Sequence, residues 1–215
     1  MKLNDPFVIT ISREIGSGGG TVGRKLAAKL NVHYSDKQLI HALQEKFNLT
    51  VSGIEKLKGE KKNWLSDFIH LVAPVPKANQ IVDVDSRFIQ EFRSDISVKD
   101  VYKAEQEILN GIADEGSCVI AGRSGFFVLK DHPNKVDIFI TASREHRIER
   151  VMRKQALPRE QAEAIIDSVD ESRENYVQRC TGSSRYDVRH YDLVINMDLL
   201  TEDEAVAMIL TYLGA

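Results

Sequence analysis

Four glycines fall within five residues at Gly16-Ser17-Gly18-Gly19-Gly20, and Thr21 follows them directly. The chemistry this composition serves is anion binding. Amide N–H groups at a helix start point outward unpaired, and the helix dipole adds partial positive charge there. Glycines let that backbone approach a phosphate closely and adopt conformations that other residues resist. A flexible strand-to-helix turn is the plainer reading of such a run. It leaves unexplained why so many destabilising glycines should gather at a helix start.

The pattern departs from G-x-x-x-x-G-K-[ST] at two places. With Gly18 as its second glycine, the first falls on Arg13 and the lysine on Gly19. The fixed cation that normally reaches the β- and γ-phosphates is therefore missing from its place. Arg13 stands at the end of a strand and can contribute a guanidinium from the other side of the loop, or pair with Glu14 or solvent.

Further cations lie along the chain. Arg144, Arg147, Arg150 and Arg153 form a basic stripe opposite Ile148, Val151 and Met152. By spacing alone such a stripe reads as a solvated helix face. Asp170 and Arg173 share a helix face at i, i+3, a spacing that also suits a simple surface salt bridge. Arg123 follows a buried run and Gly122, a position on the ligand edge of an open sheet.

The elements that would position these residues are short apolar runs alternating with helical stripes. Phe7–Ile11, Val32–Ser35, Cys118–Ala121, Val136–Ile140 and Asp192–Asn196 lack clear alternation, as strands buried on both faces do. Helices are predicted from Val22 to Leu30, from Ser97 through Ile112, from Ser143 to Lys154, and onward from Pro158 at a first turn. The stripe of that last helix is Ala162, Ile165, Ile166, Val169, Tyr176, Val177 and Cys180. Asp36 suits the N-cap of a helix carrying Leu39, Ile40 and Leu43, and Thr201 with Glu204 makes a capping-box pair. The fold class expected is α/β: a P-loop three-layer sandwich, a five-stranded parallel sheet with helices on both faces. One domain over 1–215 is expected, with a mostly helical insertion at 50–95 and a lid-like helical region at 143–182.

Composition narrows the partners. A net charge of -3 argues against bulk binding to nucleic acid or anionic membrane, though not against a local basic site. No apolar stretch approaches the roughly 20 residues a bilayer requires. Two cysteines, Cys118 and Cys180, and no apolar leader at the N-terminus predict a soluble protein of the reducing cytoplasm. The six histidines show no H-x-x-x-H spacing, so no dedicated metal cluster is expected. Any Mg²⁺ would arrive with a nucleotide, and Thr21 is the nearest hydroxyl. The apolar patch around Trp64 reads as insertion core or as a contact in a homodimer.

Ile9-Thr10-Ile11 followed by Gly16-Ser17-Gly18-Gly19-Gly20-Thr21-Val22 resembles the opening of bacterial cytidylate kinases. Val119 to Arg123, Phe139 to Ser143 and Asp192 to Glu204 resemble later segments of the same family. The opening is most similar to cytidylate kinase-like proteins sharing I-S-R-E/Q-x-G-S-G-G. The resemblance implies an ATP-dependent phosphotransferase, with Mg²⁺ carried by the nucleotide and a nucleoside monophosphate or similar small acceptor. It implies donor phosphates on Gly16, Ser17, Gly18, Gly19, Gly20 and Thr21, with Arg13, Arg147 and Arg153 as catalytic cations. Asp36, Arg123, Asp170 and Arg173 would serve the acceptor. At Asp36-Lys37-Gln38 and at Ser124 the chain departs from cytidylate kinases, which keeps a non-nucleotide metabolite open as acceptor. A nucleotide- or anion-sensing module without strong catalysis is the alternative class.

Overall fold

A computed structural model describes residues 1–36, 98–122 and 124–215. The insertion at 50–95, Trp64, Arg123 and the helix expected after Asp36 lie outside the described residues. Five strands form one parallel sheet in the order β2-β3-β1-β4-β5: β1 (Val8–Arg13), β2 (His33–Ser35), β3 (Cys118–Ala121), β4 (Lys135–Thr141) and β5 (Leu193–Asn196). The described helices are α1 (Gly19–Leu30), α2 (Val98–Asp114), α3 (Gly125–Val128), α4 (Arg144–Gln155), α5 (Arg159–Thr181) and α6 (Glu202–Leu213), with a 3-10 turn at Val188–His190.

The near-continuous apolar strands β1, β3 and β4 are buried because helices cover both faces, whereas the edge strands β2 and β5 are only partly covered and Val194 of β5, expected to be buried, is exposed. On one face, Val22, Leu26 and Ala27 of α1 and Ala205, Val206 and Ile209 of α6 pack on Ile9, Ile11, Ile138 and Ile140. On the other, Ala104, Leu109 and Ala113 of α2 pack on Val8, Cys118 and Ile120. The connection that leaves β1 runs through α1 to the first face, and the one that leaves β3 runs through α3 to the second, where Val128 and Leu129 join the cluster. The carboxyl ends of β1 and β3 bound a crevice of the kind in which open α/β sheets bind ligands. Cys118 is a core residue whose thiol is pushed up to about 11 by burial. No described helix is long and apolar enough to cross a membrane.

Most other boundaries shift by one residue, and three differ from the expected ones with a plain physical cause. β1 extends through Arg13 because residues 8–13 pair in register with residues 135–140 of β4. α1 starts at Gly19, three residues before the expected Val22, because Gly18 takes the left-handed cap position and its carbonyl accepts from Thr21 and Val22. Pro158 caps α5 from outside and does not open its first turn. Elsewhere caps stop and start the helices as their chemistry requires. The Ser143 side chain accepts from the His146 amide at α4, and Thr201 and Glu204 form a reciprocal capping box at α6. That box also fixes Glu202, an α6 residue that reaches the glycine loop through Arg150.

Removing the α6 cap with Thr201→Ala should cost about 1 kcal/mol. Urea denaturation should show this as a lower midpoint with an unchanged slope.

Candidate functional site

The glycine loop leaves β1 and turns into α1 through two left-handed glycines, Gly16 at φ 81° and Gly18 at φ 88°. Both conformations disfavour side chains, and the space is also taken. A Cβ on Gly16 would lie 2.6 Å from the Arg147 carbonyl of α4, and one on Gly18 would meet the Arg150 guanidinium at 3.3 Å. Ser17 is buried, and its hydroxyl donates to the Glu14 carbonyl at 2.9 Å while accepting from the Gly19 amide at 3.4 Å. Its side chain therefore shapes the loop. The amides of Gly16, Gly18 and Gly20 find no acceptor among the described residues. Three outward donors at a helix start make a ready anion cradle.

The loop is clamped from α5. Asp170, 8% exposed, accepts the Ile15 amide at 3.1 Å and the Arg147 guanidinium at 2.5 Å. Arg147 is equally buried and lies 3.6 Å from Glu14, whose carboxylate also accepts from Thr141. Arg173 and Arg185 stand 3.7 Å from Asp170, and both donate to the Arg13 carbonyl. Three guanidiniums thus gather around Asp170 and Glu14 beside the loop, and the Glu174 carboxylate accepts the Arg185 amide at 3.0 Å. The Nη1 of Arg185 and the Nε of Arg147 are buried without a hydrogen-bond acceptor among the described residues. Arg185 is also packed against the Phe139 and Tyr186 rings.

A further cation lies over the loop itself, with another one turn along α4. The Arg150 guanidinium rests against Gly18 and pairs with Glu202 at 2.7 Å. The Lys154 ammonium is held below its usual value, first by burial and then by the Arg150 charge, with Arg24 adding to the effect. A bound anion would relieve that crowding of positive charge. Thr21 is half-buried, and its hydroxyl has no partner among the described residues. No group of three or more acidic, cysteine or histidine side chains is arranged for a metal among the described residues.

The structure therefore brings Arg13, the glycine loop, Arg147, Asp170 and Arg173 together. Asp170 and Arg173 are not a plain surface pair, since Asp170 is buried and gathers partners from β1's end, α4 and the 182–192 segment. Arg153 is exposed, one helical step beyond the arginines that touch the loop. Asp36 lies at the end of β2, 3.6 Å from Arg24. Beside it, the Tyr34 hydroxyl donates to the Gly20 carbonyl at 3.2 Å. The Tyr34 phenol is pushed up to about 12 by burial, with the nearby Arg13 charge working against that rise.

Sequence reasoning missed Arg185 and undervalued Arg150. Arg185 sits in an aperiodic stretch, and its partner Arg13 is far away in sequence. Arg150 shares its three-residue spacing with Arg147 and Arg153, so only the packing of α4 shows which of them face inward. Ile148 and Val151, buried with Ile15, Ala162 and Ile166, set that rotation.

The profile of the cytidylate kinase-like family matches residues 8–199. The chain belongs to that family. The match takes in the glycine loop, Asp170, Arg173 and Arg185, so the cluster lies within the family's own span. A search of curated proteins returns no match. Among solved structures, an uncharacterized protein from Eubacterium ventriosum aligns with a TM-score of 0.68 at 23% identity, covering 97% of this chain and 99% of that one. A shikimate kinase from Bacteroides thetaiotaomicron aligns with a TM-score of 0.51 at 15% identity, covering 97% and 99%. At these identities the likeness is one of fold, and the fold is that of P-loop kinases. This cytidylate kinase-like chain keeps the kinase scaffold while replacing the loop lysine with Gly19.

Asp170→Ala should destabilise the protein by about 3–5 kcal/mol, because it strands buried guanidiniums. Asp167→Ala, which removes only the exposed pair with Arg144, should cost less than about 1 kcal/mol. Denaturant melts of the two variants side by side check the contrast.

Proposed function

We propose that the protein is an ATP-dependent phosphotransferase, passing the γ-phosphate to a nucleoside monophosphate or a similar small acceptor. The observation that carries the reading is the cradle of amides at Gly16, Gly18 and Gly20, without an acceptor among the described residues, with the Arg150 guanidinium lying over it. Family membership supports a kinase, and the P-loop fold supplies the scaffold. In this reading the donor's phosphates rest on residues 16–21. Arg150, held by Glu202, provides there the fixed charge that Gly19 lacks. Arg147 plays a different part, since its burial against Asp170 makes it a support for the loop's shape. Arg153, exposed as it is, contributes at most through closure of the 143–182 helices over the donor.

Mg²⁺ would enter with the nucleotide, and the Thr21 hydroxyl, without a partner among the described residues, would help hold it. The ion's chemistry is to draw charge off the β- and γ-phosphates during transfer. The chain's own work is positioning and electrostatics, with preorganised donors aimed at charge that develops in the transition state. The acceptor would lie at the carboxyl ends of β1, β2 and β3, near Asp36, Arg123, Asp170 and Arg173.

A sensor module is the second reading, and one observation favours it: position 19 has no room for a side chain, since its Cβ would lie 2.6 Å from that of Arg13. Loss of a fixed phosphate cation lowers rates far more than it lowers binding.

A coupled assay with ATP, Mg²⁺ and a panel of nucleoside monophosphates and small alcohols separates the two. Turnover is expected with at least one acceptor, and Arg150→Ala should lower kcat/KM about 100-fold. Tight binding of an ATP analogue without turnover on any acceptor would establish the sensor reading instead.

A further inference from the structure

Arg13 stands where the loop pattern calls for glycine, and its side chain follows an unusual course. Its stem lies on the helix start, so that a Cβ on Gly19 would come within 2.6 Å of the Arg13 Cβ and 3.2 Å of its Cγ. Its head lies across the sheet end, where Nη1 would be 2.0 Å from a Cβ on Gly122. Gly122 follows β3 in a left-handed conformation, φ 83°, and the absence of a side chain leaves room for the guanidinium. The two departures at 13 and 19 are thus one sterically coupled exchange. The arginine takes the space from which a lysine at 19 would start, and it carries its charge away from the loop toward the β1–β3 crevice.

We propose that Arg13 is the receptor for an oxyanion on the acceptor, and not a substitute for the lysine on the donor's phosphates. This rests on the phosphotransferase reading above. Three observations support it. The crevice between β1 and β3 is where the sheet's connections diverge, the place open α/β sheets use for ligands. The donor side already has a guanidinium, Arg150 against Gly18. The Arg13 backbone is also held, because its carbonyl accepts from both Arg173 and Arg185, while its side chain is packed against Gly19 and Gly122. Those arginines add positive charge around it, and Arg185 keeps a buried Nη1 without an acceptor among the described residues. A planar fork in such a field suits a phosphate monoester or a carboxylate, either of which it can hold through two parallel hydrogen bonds.

The test uses the full chain loaded with Mg²⁺ and a non-hydrolysable ATP analogue, titrated by NMR with methyl phosphate and, separately, with propionate. Wild type should bind at least one, and the stronger of the two names the acceptor's anionic group. Arg13→Gln should weaken that binding about ten-fold or more while changing analogue affinity less than about two-fold. Arg13→Lys, which keeps the charge but loses the fork, should fall between them; it also serves if the glutamine variant melts early. The proposal is overturned if Arg13→Gln weakens the analogue instead, if oxyanion binding is unaffected by both variants, or if wild type binds neither probe. Failure of wild type to bind the analogue at all is a different result, and it overturns the phosphotransferase reading itself.

Discussion

The loop's geometry depends on one buried carboxylate. Asp170 projects from the middle of α5, accepts the backbone amide that opens the glycine turn, and neutralises Arg147. Arg147 in turn sets the backbone against which Gly16 is packed. Arg173 and Arg185, drawn to the same carboxylate, hold the Arg13 carbonyl. A carboxylate desolvated to this extent is stable only with several close cationic partners, and those partners are then fixed in turn. The strand end, the turn, α4, α5 and the segment before β5 therefore meet at a single ionic centre. That centre holds the loop's shape through the chain's own contacts, which is the condition for electrostatic preorganisation.

The cations around this centre divide the work between holding shape and meeting ligand. Arg147 and Arg185 are buried and serve mainly as struts. Arg150 lies on the loop, and Arg13 lies on the crevice. A P-loop kinase concentrates its phosphate charge in one lysine that starts from the helix's first turn. In this chain, the steric contact between Arg13 and Gly19 excludes that solution and makes the two substitutions a matched pair. Glycine at 19 follows from arginine at 13.

The sheet was legible in the sequence because parallel strands covered on both faces read as unbroken apolar runs. Cys118–Ala121 is the clearest example, with bounds that match residue for residue. The glycine loop was legible for a different reason, since glycine is costly at a helix start without a use. Helix starts defined by glycine were less so: α1 begins at Gly19 because of a left-handed cap, which leaves no hydrophobic signal. The ionic centre was legible only in part. Asp170 and Arg173 share a helix, so their spacing linked them. Arg185 joins from an irregular segment, and nothing local announces a contact that spans most of the chain. The rotation of α4, which turns Arg150 inward and leaves Arg153 exposed, was hidden because the spacing of the stripe is the same for each arginine.

The central claim is that the loop binds the donor's phosphates through free backbone amides in the absence of a loop lysine. An amide NMR titration of the full chain with a Mg²⁺-bound ATP analogue reads those groups directly. The Gly16, Gly18 and Gly20 resonances should shift together, with the largest changes among the described residues. Saturable binding that leaves these three unmoved while distant amides shift would contradict the claim.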